Sequence, residues 1–184
     1  MQSLSIDPER TASLRRQVRL PLRRLLMSRP MVLFSESTLE RIDLAATRSH
    51  PLETGGILVG VHTGGLQWIT DMVEISTNAR GRTSYRIPRG ATRSAVRGLR
   101  ERDPRLGYLG DWHSHPMDVP ASPTDRATLV ATSAKAMAPV ILLVARRVGS
   151  SYSHDVHLAR GVVVRPCDVS LAGDLPEPTN EGKP

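Results

Sequence analysis

The amino-acid sequence predicts an α+β domain, a mixed, largely antiparallel β-sheet flanked by helices. Two observations carry that prediction. The apolar segments run strand, helix, strand, strand, helix, strand, helix, strand, strand, with no regular strand–helix alternation. Neighbouring strands are joined through short Gly- and Ser-bearing turns, so hairpins dominate. At 184 residues the chain suits one main domain, long enough to bury a real core. Hydrophobic residues make up 39% and aromatics only 3%, so Val, Leu, Ile and Ala must build most of that core. No internal repeat is visible.

Taken in order, residues 1–30 read as a basic N-terminal arm, 31–168 as the domain and 169–184 as a disordered tail rich in Pro, Gly and charge. In the arm, Arg10, Arg15, Arg16, Arg19, Arg23, Arg24 and Arg29 stand among Leu14, Val18, Leu20, Leu22, Leu25 and Leu26. Such a stretch could meet an acidic partner or a membrane surface. The preferred reading is an arm whose later part packs as helix or strand. Met31 to Phe34 is a short strand. Ser37-Thr38-Leu39-Glu40 reads as a capping box that starts a helix over about 38–48, with Leu39, Ile42 and Ala46 on one face. Pro51 stops it. Gly55 to Val61 is a buried strand, Thr63-Gly64-Gly65 a turn, and Leu66 to Ile75 the returning strand.

Asn78 to Gly90 is polar and Arg-rich and reads as a loop, with room for a short strand around Tyr85 and Ile87. Thr92 to Arg102 is a helix, closed by Asp103-Pro104. Leu106 to Trp112 is a strand that delivers His113 and His115 at its end. Alternation along a strand puts those two rings on one face and Ser114 on the other. A loop over 116–121 follows. Ser122 is then the N-cap and Pro123 a first-turn residue of a helix running to about Ala136. Val140 to Ala145 and His157 to Val164 are two further strands, antiparallel around Gly149 to Ser153.

Composition excludes several classes. The net charge is +7 and nearly every basic residue is Arg, Lys135 and Lys183 being the only lysines. Arg is spread along the chain and no nucleic-acid motif appears, so a solvated surface is expected and no specific nucleic acid. The single cysteine, Cys167, cannot form an internal disulfide; it suits a reducing, cytoplasmic setting and a role as small apolar filler. No apolar run approaches the ~20 residues needed to span a bilayer. The acidic start, with Asp7 and Glu9, does not read as a secretory signal.

The chemistry concentrates in Gly110-Asp111-Trp112-His113-Ser114-His115-Pro116, continued by Ser122-Pro123-Thr124-Asp125. Two imidazoles and a carboxylate within one strand–loop–helix unit are the ligand set of a catalytic zinc site that leaves a position open. His113, His115 and Asp125 are the candidate ligands. Upstream in a Gly-rich setting, Glu53 is the candidate base, and Ser122 the candidate hydrogen-bond donor to a developing oxyanion. Each alone has an ordinary explanation: a strand-end histidine, a first-turn acid, an N-cap, a loop carboxylate. Only their combination points to a metallohydrolase. His50, His62, His154 and His157 lack comparable spacing and read as surface or structural groups, although His154-Asp155-Val156-His157 offers a second possible pair.

At these residues the sequence resembles the JAMM (MPN/JAB/Mov34) metalloprotease family. Glu53-Thr54-Gly55-Gly56-Ile57-Leu58-Val59-Gly60 is similar to its glutamate-bearing strand entry. Gly110 to Pro116 is similar to its histidine strand, and Ser122-Pro123-Thr124-Asp125 to its S-x-x-D helix start. The similarity spans about residues 31–165. The resemblance implies a cytidine-deaminase-like mixed sheet flanked by helices, a bound Zn2+, and hydrolysis of peptide or isopeptide bonds at the C-terminus of a ubiquitin-like protein or its conjugate. The six residues of 116–121 make the loop one residue shorter than the family's usual spacing. The histidine-strand wording is most similar to bacterial members. These include deconjugating peptidases encoded beside E1/E2-like transfer enzymes, some in anti-phage operons built on nucleotide cyclases, and processing enzymes for sulfur carriers. A non-catalytic scaffold of the same fold is the alternative. A basic adaptor for nucleic acid acting through residues 10–29 is a third, weaker reading.

Overall fold

The computed structural model describes residues 29–176 except Gly64 and Ala79. Most of the basic arm and the last part of the tail (177–184) therefore lie outside the described residues. The described elements are β1 (Met31–Ser35), α1 (Glu36–Ser49), β2 (Gly55–Thr63), β3 (Leu66–Glu74), α2 (Ala91–Arg100), β4 (Gly107–His115), α3 (Pro123–Ala136), β5 (Val140–Val148), β6 (Ser151–Arg160), β7 (Val163–Pro166) and β8 (Asp168–Ala172).

All the described strands join one sheet in the order β7-β6-β5-β4-β2-β3-β1-β8. The β2–β3, β2–β4, β5–β6 and β6–β7 pairs are antiparallel; β1–β3, β1–β8 and β4–β5 are parallel. The predicted mixed, largely antiparallel sheet is thus present. Helix α1 covers one face, where Ile42 and Ala45 pack against Phe34, Leu58, Trp112 and Leu143. On the opposite face Leu129 of α3 packs on Val140, Leu142 and Val144, and Leu99 of α2 on Ile57 and Val59. Alternate residues of β5 therefore feed the two layers, and its unbroken apolar run Val140–Ala145 is buried throughout, as a central strand requires.

Backbone crowding explains three glycines around the centre of the sheet. A Cβ at Gly56 would lie 1.8 Å from the Val73 carbonyl oxygen, and one at Gly110 would lie 2.0 Å from that of Ile141. At Gly55 it would lie 2.4 Å from the Trp112 oxygen and 2.9 Å from the His113 Cβ. No side chain fits there without separating strands.

Four local expectations are corrected. Helix α1 begins at Glu36 directly after β1, with Ser35 as N-cap and no side-chain cap. The Ser37 hydroxyl does not close a capping box; it donates to Asp174 Oδ1 at 2.7 Å. Tyr85 makes only an isolated bridge with Arg80 instead of a short strand. The run His157–Val164 is split between β6 and β7, because Gly161, at φ 59°, turns the chain inside it. And the tail placed at 169–184 is ordered in its first part: β8 pairs in parallel with β1, from Met31↔Asp168 to Ser35↔Ala172. Val169 and Leu171 of β8 stay exposed. The strand is held by the free backbone edge of β1 and not by burial, and hydropathy does not report that.

Candidate metal centre

Strand β4 lies between β2 and β5, with His113 opposite Gly55 on one side and Val144 on the other. His113 and His115 project to the face that carries α2 and α3, while Ser114 and Trp112 turn to the α1 face. The back-facing Ser114 has its own task. Its hydroxyl accepts from Thr54 N at 3.0 Å, and its amide donates to Thr54 O at 2.8 Å. Glu53 is held by the same stretch, since its amide donates to Gly81 O at 2.7 Å. The Tyr85 ring lies over Gly55, and its hydroxyl donates to Ile75 O at 2.7 Å. In this way a glutamate far upstream in sequence is carried to the histidine strand.

Helix α3 supplies the remaining groups through its N-terminus. Ser122 Oγ accepts from Asp125 N at 3.1 Å, while Ser122 N donates to Asp125 Oδ2 at 2.7 Å. This reciprocal capping box fixes the Asp125 carboxylate over the histidines. His113 Nε2 lies 3.5 Å from Asp125 Oδ1, and His115 Nε2 lies 3.7 Å from Asp125 Oδ2. The two ring Nε2 atoms are 3.1 Å apart. Glu53 Oε1 is 4.0 Å from His115 Nε2.

Protonation follows from these partners. His115 Nδ1 faces the Val119 carbonyl at 2.7 Å. A carbonyl only accepts, so Nδ1 carries the proton and Nε2 presents a lone pair. Burial keeps the His115 ring neutral by lowering its pKa, opposed by the Val119 carbonyl and supported by nearby His113. Burial pushes the Asp125 carboxyl up, but hydrogen bonds from His113 and Ser122 outweigh it and hold the group well below the ordinary carboxylate range. Glu53 is only 5% exposed. Its burial pushes the carboxyl up to about 7, with His113 pulling down and Asp125 adding to the rise.

The donor set suits a metal ion. One ligand atom from each of His113, His115 and Asp125 lies within 4.8 Å of the others. Ligand atoms roughly 2.0–2.2 Å from a tetrahedral ion are about 3.3–3.6 Å apart. The ring nitrogens at 3.1 Å, and their nearest carboxylate contacts at 3.5 Å to Asp125 Oδ1 and 3.7 Å to Asp125 Oδ2, lie near that range, with the carboxylate free to offer either oxygen.

Residues 35–156 match the family model described as prokaryotic homologs of the JAB domain. The chain belongs to that family. A curated relative, "Probable metalloprotease y4qB" of Sinorhizobium fredii (strain NBRC 101917 / NGR234), is 33% identical in an alignment of length 122 that covers 61% of this chain and 74% of the relative. The solution structure of protein DSY2949 from Desulfitobacterium hafniense superposes with a TM-score of 0.64 at 18% identity, over 79% of this chain and 95% of that one, and shows the same fold.

In this JAB-domain protein, then, the five residues singled out from sequence occupy one place: His113, His115 and Asp125 converge, Glu53 borders them, and Ser122 caps the helix beside them. The other histidines stay apart. His154 Nε2 pairs with Asp43 Oδ1 at 2.8 Å on the α1 face, and His50 and His62 are exposed. His157 is buried, with Nε2 3.1 Å from Asp155 Oδ1. Sequence reasoning missed the Val119 carbonyl, the Ser114 anchor, Tyr85 and Asp155. Only Asp155 carried a signal, through its place in the His154–His157 stretch.

Proposed function

We propose that this protein is a zinc-dependent peptidase or isopeptidase that cleaves the bond after the C-terminus of a ubiquitin-like protein or its conjugate. The observation that carries the reading is the buried Glu53 carboxyl, 4.0 Å from a ring nitrogen of the three-donor cluster. The printed name of the Sinorhizobium relative supports metalloprotease chemistry. His113, His115 and Asp125 would hold the ion. When bound, zinc supplies a water whose pKa is lowered to ~7 and polarises the scissile carbonyl.

The chain's own groups do the rest. Glu53, whose carboxyl burial pushes up to about 7 in the metal-free protein, stands beside the donor cluster, where it can take a proton from water and return it to the departing amine. Ser122 uses its oxygen to accept from Asp125 N, which leaves its proton to donate to oxygen that gains negative charge. Burial of Glu53, Thr54 and His115 excludes bulk water from behind the reacting groups. The partner is read as a ubiquitin-like protein together with its conjugated target, with an E1/E2-like conjugation enzyme acting in the opposite direction. Cytoplasmic action fits that pairing. Among the described residues no helix is long and apolar enough to cross a membrane.

Metal analysis combined with cleavage of a ubiquitin-like fusion, with and without chelator, tests the reading. Zinc at stoichiometry and chelator-sensitive cleavage are expected. Glu53→Ala should abolish turnover while keeping the metal; an unchanged rate in metal-replete Glu53→Ala protein rejects the base. Zinc at stoichiometry with no cleavage of any fusion would instead favour a scaffold that binds without catalysis.

A further inference from the structure

Between His115 and Ser122 the chain makes a short loop, residues 116–121, whose tip residues Met117 and Val119 are exposed. Exposed loops usually wander, yet this one carries two jobs. Its Val119 carbonyl sets the His115 tautomer, and its end delivers Ser122 and Asp125. Something must hold it. The strands beside the site supply the anchors. His113, Val144 and Asp155 stand side by side across β4, β5 and β6 in the sheet register, on one face. From there Asp155 Oδ2 accepts from Ala121 N at 2.8 Å. One register step away, Arg146 Nη1 donates to Asp118 Oδ1 at 2.9 Å.

The Asp155 anchor is the more demanding of the two. Ala121 is 3% exposed and immediately precedes the N-cap, so its amide fixes where α3 begins. The other carboxylate oxygen lies 3.1 Å from His157 Nε2. A connected path then runs from Asp155 to Ala121 N, and from Ser122 N to Asp125 Oδ2.

We propose that Asp155 is a positioning residue for the metal centre, holding the 116–121 loop so that Asp125 and His115 converge. The inference rests on the reading that these groups bind zinc. Groups that orient ligands without touching the ion typically change its affinity by 10–100-fold when removed. Asp155 belongs to the second histidine stretch, which through it supports the first instead of forming a site of its own.

The test is zinc affinity of the full chain, measured by competition with a chromophoric chelator. Asp155→Ala should bind zinc about 10–100-fold more weakly than the parent. Asp155→Asn, which keeps an oxygen to accept from Ala121 N, should restore affinity to within about threefold of the parent, well short of the loss expected on removal. Asp155→Leu keeps the volume without an acceptor and should behave like the alanine variant; it serves if the alanine variant does not fold. Asp43→Ala breaks the His154 pair on the far face and controls for general loss of stability; its affinity should not change. Parental affinity in Asp155→Ala or Asp155→Leu overturns the inference, as does equal weakening in Asp155→Asn or in Asp43→Ala. A parent protein that binds no zinc overturns the metal reading itself, which keeps the two failures separate.

Discussion

Glu53 shows how far a single residue can be moved from its ordinary chemistry by where it is put. In the folded metal-free protein its carboxyl is pushed from 4.5 to about 7 by burial. The folded state therefore binds more protons than the unfolded state between those values. That contribution to stability is fully present below about 4.5 and is lost as pH rises through 7. The loss is on the order of 3 kcal/mol. Asp111, pushed up to about 6 by burial, acts in the same direction. Asp125 is held low and acts oppositely, in more acid solution. His115, kept neutral by burial, acts oppositely below about 6.5. Chemical denaturation of chelator-treated protein should thus show stability falling from about pH 6.5 to pH 8, and Glu53→Gln should flatten the slope. A slope unchanged in that variant would show that burial does not set the Glu53 charge. Gly55 makes the complementary point about space. An added Cβ meets the Trp112 oxygen and the His113 Cβ, so Gly55→Ala should destabilise the protein by roughly 1–3 kcal/mol and weaken zinc binding together. The histidine pair was legible because its geometry is local: two residues apart on a strand means one face. The Val119 carbonyl and Asp155 were not, because the bonds that give them roles cross strands and loops that share no nearby sequence.

The same division holds for elements. Helix α3 starts where its signals put it, since Ser122, Pro123 and Asp125 act on backbone groups within one turn. Ser122 serves both the helix and the proposed chemistry, and the two are separable. Ser122→Ala should cost about 1 kcal/mol as a lost cap. Turnover should fall by roughly 10²–10³ if the hydroxyl also steadies the oxyanion. Thermal melting and kcat measured on the same sample check this; a kcat loss no larger than the stability change explains would leave Ser122 a cap alone. Helix α1 failed at its start because β1 runs into it without a loop, and Ser37 is drawn to Asp174 from the far end of the chain. Strand β8 was hidden for a related reason. Its partners are the backbone groups of β1, and composition near the chain's end pointed to disorder.

At the scale of the whole molecule, an ion held by His113, His115 and Asp125 would tie β4 to α3, and Glu53 sits at the mouth of β2. Binding to the folded state alone adds stability by mass action, about 4 kcal/mol at a thousandfold excess over Kd. For a domain of this size that corresponds to a melting-point rise of roughly 8–16 °C. Calorimetry of zinc-loaded and chelator-treated protein should show it. Equal melting points would mean that no ion links these elements.

The succession of strands and helices from β1 to β5, the one-faced pair His113 and His115, and the Ser122–Asp125 cap were determined by sequence alone. Each depends on interactions within a few residues, where alternation, turn chemistry and capping leave little choice. The tertiary structure decided the strand order, the parallel docking of β8, the approach of Glu53 through Gly81 and Ser114, and the grip of Asp155 on the loop. Those contacts join residues tens of positions apart. They exist because close packing and paired backbone groups admit few arrangements of the whole chain, a condition that no short window of sequence contains.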